Sequence, residues 1–133
     1  MVLLLEVEGK NALQVREFAK VEAALRGLDP FGPHSYASLT RQDGSYVQVA
    51  GGKQKCLIEK REVTSNTHWR GHRTMAASDS AVQHVLIFGA GQMTLTDDEV
   101  FTIDDVIPIW RSFFEEEPFA LDIGWRDVTD VLR

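Results

Sequence analysis

Glu59, Arg61, Arg70 and His72 are the side chains in this sequence best placed to do chemistry together. If 56–63 and 67–73 form a hairpin, strand parity puts Glu59 with Arg61 and Arg70 with His72, on neighbouring strands. Tyr36, Tyr46 and Gln48 fall on the polar side of two preceding strands and extend the same surface. Such a face has two uses. Cross-strand ion pairs on a solvated sheet contribute about a few tenths of a kcal/mol each. A recognition surface would instead exploit the large contact area and polar tips of Tyr and Arg.

Other chemistries fail on spacing. His68 and His72 would share a helix face as metal ligands, but Thr-His-Trp-Arg-Gly-His-Arg reads as a strand, where i and i+4 lie ~13 Å apart. Gly89-Ala90-Gly91-Gln92 follows an apolar run as a dinucleotide fingerprint would. Yet the third small residue, the immediate helix and the downstream acid are missing, so it reads as a turn or bulge. Cys56 has Lys53, Lys55, Lys60 and Arg61 nearby, but a lone cysteine opening an apolar strand is an ordinary packing residue. There is no Gly-x-Ser-x-Gly elbow for a serine nucleophile. The pattern therefore predicts no catalysis, no metal and no cofactor.

The elements that must position the polar face are legible from periodicity. Val2 to Val7 reads as a buried strand. Asn11, with Gln14 three residues on, is placed to cap a helix whose apolar stripe is Phe18, Val21, Leu25 and Leu28. Gly27 stops it, and Pro30, Gly32 and Pro33 make a rigid loop. Strands at 35–40 and 45–50 flank the hairpin signal Asp43-Gly44, sending Ala37, Leu39, Val47 and Val49 to a dry face. The small, polar segment 76–81 reads as an exposed linker. Val82 to Phe88 reads as a well-covered strand, which Met93-Thr94-Leu95 extends beyond the Gly89–Gly91 turn. Thr102 and Asp105 cap a second helix with the stripe Ile103, Val106, Ile107, Trp110 and Phe113 or Phe114. Pro108 kinks or restarts that helix, and residues 120–125 add an edge strand before a short C-terminal turn. The fold expected is α+β: one domain over residues 1–133, with an antiparallel sheet of about five to seven strands and two main helices on its dry face.

Composition narrows the partners. Over 133 residues the apolar share is 44% and the charged share 26%, ordinary values for a globular chain. A net charge of −6 argues against nucleic acid or an anionic membrane and suits a basic protein. The single cysteine excludes an internal disulfide and fits a reducing compartment. The opening apolar run meets Glu6 and Glu8 too soon for a signal peptide, and none approaches the ~18 residues of a membrane span. The expected address is the cytoplasm. Asp97-Asp98-Glu99, Asp104 and Asp105 precede or open the second helix, where acids favour its dipole, whereas Glu115, Glu116 and Glu117 sit at its unfavourable end. That misfit points to a role for Glu115–Glu117 outside helix stability, such as steering a basic partner.

Several stretches carry a family likeness: Ser38-Leu39-Thr40, the block from Asp43-Gly44-Ser45-Tyr46 to Gly51-Gly52, Glu59-x-Arg61, and His68-Trp69-Arg70. Phe101 to Val106, Phe113-Phe114 and Trp125-Arg126-Asp127 complete it. In these the chain resembles the small bacterial immunity proteins of contact-dependent and polymorphic toxin systems. The resemblance implies a non-enzymatic protein that binds and neutralises a cognate basic toxin. The partner-contacting residues expected are Tyr36, Tyr46, Gln48, Glu59, Arg61, Arg70, His72 and Glu115 to Glu117. The alternative is a small ligand-binding or enzymatic domain with a polar pocket on the sheet face.

Overall fold

The computed structural model describes residues 2–74 and 83–132. Its frame is a seven-stranded sheet in the order β2-β1-β3-β4-β5-β6-β9, antiparallel at every step. The strands are β1 (Leu3–Val7), β2 (Leu13–Val15), β3 (Tyr36–Thr40), β4 (Tyr46–Gly52), β5 (Lys55–Glu62), β6 (Thr67–Arg73) and β9 (Ile123–Asp127). Helices α1 (Phe18–Arg26) and α2 (Ile103–Phe114) pack on one face, and a separate hairpin of β7 (Gln83–Phe88) and β8 (Gly91–Thr96) covers part of the other. This is the α+β arrangement expected from the sequence.

Alternation dictates the layering. Leu3, Leu5, Val7, Ala37, Leu39, Val47, Val49, Cys56 and Ile58 point to one face, where Phe18, Val21, Leu25, Val106, Trp110 and Phe113 meet them in the main core. Trp110 is fully enclosed at 0% exposure. The Asp43-Gly44 turn forms as its residues require: Gly44 takes φ 94°, its N–H reaches the Arg41 carbonyl, and Asp43 accepts from the Ser45 N–H. Gly51-Gly52 ends β4 against the chain after α1. A Cβ on Gly52 would fall 2.5 Å from the Leu28 carbonyl carbon, so only glycine allows that approach.

Thr102 caps α2 as expected: its hydroxyl accepts from the Asp105 N–H, and the Asp105 carboxylate accepts from the Thr102 N–H. Pro108 does not break this helix. The carbonyl its missing N–H would have bonded belongs to exposed Asp104, where water can serve instead.

Four local readings are corrected. Residues 13–15 are an edge strand paired with Leu5, Leu4 and Leu3, so α1 begins at Phe18 with uncapped Glu17 before it rather than at Asn11. Pairing along β1 outweighs the local capping signal. Met93–Leu95 does not extend the preceding strand but folds back along it, Leu86 opposite Met93. As a result β7 is not well covered: Leu86 faces inward, while Val85 is 50% and Ile87 57% exposed. The final edge strand, expected at 120–125, runs Ile123–Asp127. The linker expected at 76–81 lies outside the described residues.

Candidate functional site

The face opposite the helices is organised by register. Glu6, Ser38, Gln48, Glu59, Arg70 and Arg126 form one row, each paired with the next from β1 to β9. Tyr46, Arg61 and His68 form a shorter row beside it. Because the side-chain period is 2, a one-residue slip would send every one of these groups into the core.

The middle of the long row is buried. Glu59 and Arg70 side chains are only 5% and 9% exposed. Glu59 Oε2 accepts from Arg70 Nε at 3.0 Å and Oε1 from Gln48 Nε2 at 2.8 Å. His68 Nε2 lies 3.4 Å from Oε1, and the same imidazole's Nδ1 lies 3.4 Å from the Tyr46 hydroxyl. Arg70 Nη2 also lies 3.0 Å from Glu59 but is too poorly aligned to bond, and has no hydrogen-bond partner among the described residues. A 3-10 turn at Asp97–Glu99 closes over the end of the row. There Arg126 Nη1 donates to Glu99 at 2.8 Å and Nη2 to Asp98 at 3.2 Å, while Glu99 stands 3.9 Å from Arg70 Nη1.

These contacts set the protonation states. Burial alone would raise the Glu59 pKa, but hydrogen bonds from His68 and Gln48, then the Arg70 charge, outweigh it and hold the carboxyl below its usual range. Asp98 behaves alike: burial opposes its charge, and bonds from Thr96 and Arg126 more than offset that. Burial pushes the Tyr46 phenol up. It also drives the Cys56 thiol up to about 12, so this cysteine is an inert core residue.

A cleft of about 570 Å³ opens between the row and the hairpin. Glu6, Ser38, Gln48 and Glu59 contribute its polar wall, with Tyr36, Phe88 and Met93 among its apolar lining. The Tyr36 and Phe88 rings meet edge-on, 6.3 Å between centroids. The hairpin is latched at both ends. At its tip the Gly89 N–H donates to Ser35 Oγ at 2.7 Å, and Ser35 donates through N and Oγ to Glu8 at 2.8 and 2.6 Å. Those bonds lower the Glu8 pKa. A Cβ on Gly89 would lie 1.7 Å from a Glu8 carboxylate oxygen, so a side chain there would push the Glu8 carboxylate aside. At the open end Asp97 accepts from Arg73 at 3.3 Å and pairs with His84 at 2.8 Å.

The residues singled out by sequence are thus only partly gathered. Tyr36, Gln48 and Glu59 line the cleft. Arg70 lies within the row beneath the 3-10 turn, and His72 approaches Asp98 at 3.9 Å. Tyr46 stands by His68, and Arg61 reaches Asn66 in the β5–β6 turn. Glu115, Glu116 and Glu117 follow α2 in the helical layer and do not join the row. Sequence reasoning missed Arg126, Asp98 and Glu99 as members of the network. Their signal was long-range: only the pairing of β9 with β6 brings Arg126 beside Arg70.

Among the described residues no group of three His, Cys, Asp or Glu side chains is arranged to hold a metal ion, and no helix is long and apolar enough to cross a membrane. The chain matches no protein-family model, no curated protein and no solved structure.

Proposed function

We propose that this chain is a non-catalytic protein-binding domain whose sheet-face cleft receives a segment of a basic partner. On the resemblance to immunity proteins, that partner is a cognate bacterial toxin, bound and blocked in the cytoplasm. The observation that carries the reading is the state of the acid in the cleft wall. Glu59 is held ionised by Gln48, His68 and Arg70, which makes it a poor general acid or base at neutral pH. What lies uncommitted around it is contact surface: the half-exposed Tyr36 ring, Met93, and a Glu6 carboxylate with no partner among the described residues. Glu6 and Glu8 outnumber Lys10 along the cleft, and on a chain of net charge −6 that balance favours encounter with a basic protein.

The test is a binding measurement against the product of the neighbouring reading frame. A 1:1 complex is expected, its association slowing about tenfold as salt rises to physiological strength while dissociation changes much less. Tyr36→Ala should speed dissociation about thirtyfold, the effect of losing ~2 kcal/mol at a hot spot. No complex with that product, together with no effect of Y36A or E6K in any assay, refutes the reading.

One observation favours a small-molecule reading instead. The cleft's volume of about 570 Å³ falls among those of ligand pockets, and its lining mixes aromatic and polar groups. Native mass spectrometry of the freshly purified protein separates the two. A stoichiometric small molecule, lost in Gln48→Ala, would move the assignment to ligand binding.

A further inference from the structure

The least covered apolar side chains among the described residues include Phe31, at 90% exposure, and the Val85–Ile87 pair on β7. They lie together. With Leu86, Lys53 and Lys55 they line a groove of about 420 Å³ that shares no residue with the sheet-face cleft. The groove is built from ordered chain. Asp29 Oδ1 accepts from the Phe31 N–H at 3.0 Å, the Asp29 carbonyl accepts from Gly32 at 2.9 Å, and the Asp29 N–H reaches the His34 carbonyl at 2.8 Å. The loop therefore holds Phe31 outward. On β7 the alternation that buries Leu86 turns Val85 and Ile87 out.

Charge identifies the occupant. Lys53 and Lys55 have no ion-pair partner among the described residues. Asp29 is the one acid in the lining, and its carboxylate is engaged by the Phe31 N–H. Two ammonium groups against the single Asp29 carboxylate leave the groove net positive on a chain of net charge −6. Exposed clustered aliphatic and aromatic groups rimmed by polar ones mark interaction surfaces, and aromatic anchors dominate their energetics.

We infer that this groove docks an acidic, apolar segment of a partner protein: bulky Leu or Phe side chains flanked by Asp or Glu. An anionic membrane fits less well, because the site is concave and the whole chain repels anionic surfaces. This inference is independent of the sheet-face reading and concerns a second surface.

The probe is a short synthetic peptide alternating Asp and Glu with Leu and Phe, and a twin with Lys at every acidic position. Both are titrated into the isotope-labelled full chain and followed by amide chemical shifts. Saturable shifts at Lys53–Lys55 and Val85–Ile87 are expected with the acidic peptide alone. Phe31→Ser should weaken binding by about tenfold, and Lys53→Glu with Lys55→Glu should transfer preference to the lysine twin. Phe31 and Lys53 are exposed, so unchanged circular dichroism should confirm that these variants stay folded. The inference is overturned by no saturable shift, by equal binding of both peptides, or by shifts confined to the sheet-face cleft. It is equally overturned if Phe31→Ser abolishes binding to phosphatidylglycerol vesicles or a concentration-dependent self-association, either of which would name a different occupant.

Discussion

Breaking the Glu59–Arg70 pair should cost far more than an ion pair on a solvated sheet face. The perturbation is a double-mutant cycle of Glu59→Gln, Arg70→Met and both together. With side chains 5% and 9% exposed and an N···O distance of 3.0 Å, little solvent screening applies. Charge centres ~4 Å apart attract by about 4 kcal/mol at an effective dielectric of ~20. Removing one member strands the other, which costs roughly 3–5 kcal/mol for buried pairs. Here the low end, ~3 kcal/mol, is expected for each single change. Glu99 remains 3.9 Å from Arg70, and Gln48 and His68 remain beside Glu59. The double variant strands neither charge, so it should cost no more than either single change, at most ~3 kcal/mol rather than the additive ~6, a coupling of at least ~3 kcal/mol. Urea unfolding followed by tryptophan fluorescence reads this directly: with a slope near ~1.5 kcal/mol per molar, each single variant loses about 2 M in midpoint. A coupling below ~0.5 kcal/mol, with both single variants near wild type, would show the row to be ordinary solvated surface and refute the reasoning.

Three further outcomes follow from the same geometry. Glu116 sits at φ 57° in a Schellman-type helix end, its N–H bonded to the Phe113 carbonyl and that of Glu117 to Ser112, so Glu116→Gly should stabilise the protein by about 0.5–1 kcal/mol in thermal unfolding; no gain would refute the strain argument. The buried Cys56 thiol, pushed up to about 12, should stay inert to thiol reagents at pH 8 and react only at the rate of unfolding; rapid native-state labelling would contradict its burial. Stability should fall in acid. The Glu59 and Asp98 carboxyls titrate below their ordinary values of 4.5 and 3.8, so their contribution is complete above those values and disappears as pH drops through the lower folded ones; Arg70→Met should weaken that acid dependence, and an unchanged one would assign it elsewhere.

How much of this was readable from the chain depends on the range of the interaction. The core stripes Phe18–Val21–Leu25 and Val106–Trp110–Phe113, the Asp43-Gly44 turn and the Thr102–Asp105 cap are local patterns, and each appears where periodicity placed it. That Glu59 and Arg70 share a face of neighbouring strands was also legible from parity, whereas the register setting them opposite each other was not. Nor was the burial of that pair. It depends on Arg126 arriving with β9 and on Glu99 closing over the row, neither of which leaves a local trace. Val85 and Ile87 misled for the opposite reason: a β-branched run has the composition of a buried strand, and only its folding back into a two-stranded sheet leaves one side uncovered.

That distinction also separates fold from recognition on the polar face. Arg70 has its charged end tied up within the sheet, so truncating it weakens any complex through the fold rather than through a lost contact. Glu59 reaches the cleft wall only as an engaged anion. Among the described residues, those free to touch a partner at the margins include Tyr36, Glu6 and Lys10 beside the cleft, and Phe31 and the lysines at the second groove. Glu115–Glu117 occupies the helical layer and can act on a sheet-face partner only through the long-range field, which salt screens over ~8 Å at physiological strength. A charge-neutral replacement of that run should therefore slow association at low salt and leave dissociation unchanged, whereas Tyr36→Ala should do the reverse. If neutralising the acidic run instead speeds dissociation, the run itself is in contact, and the partner engages the helical layer rather than the sheet.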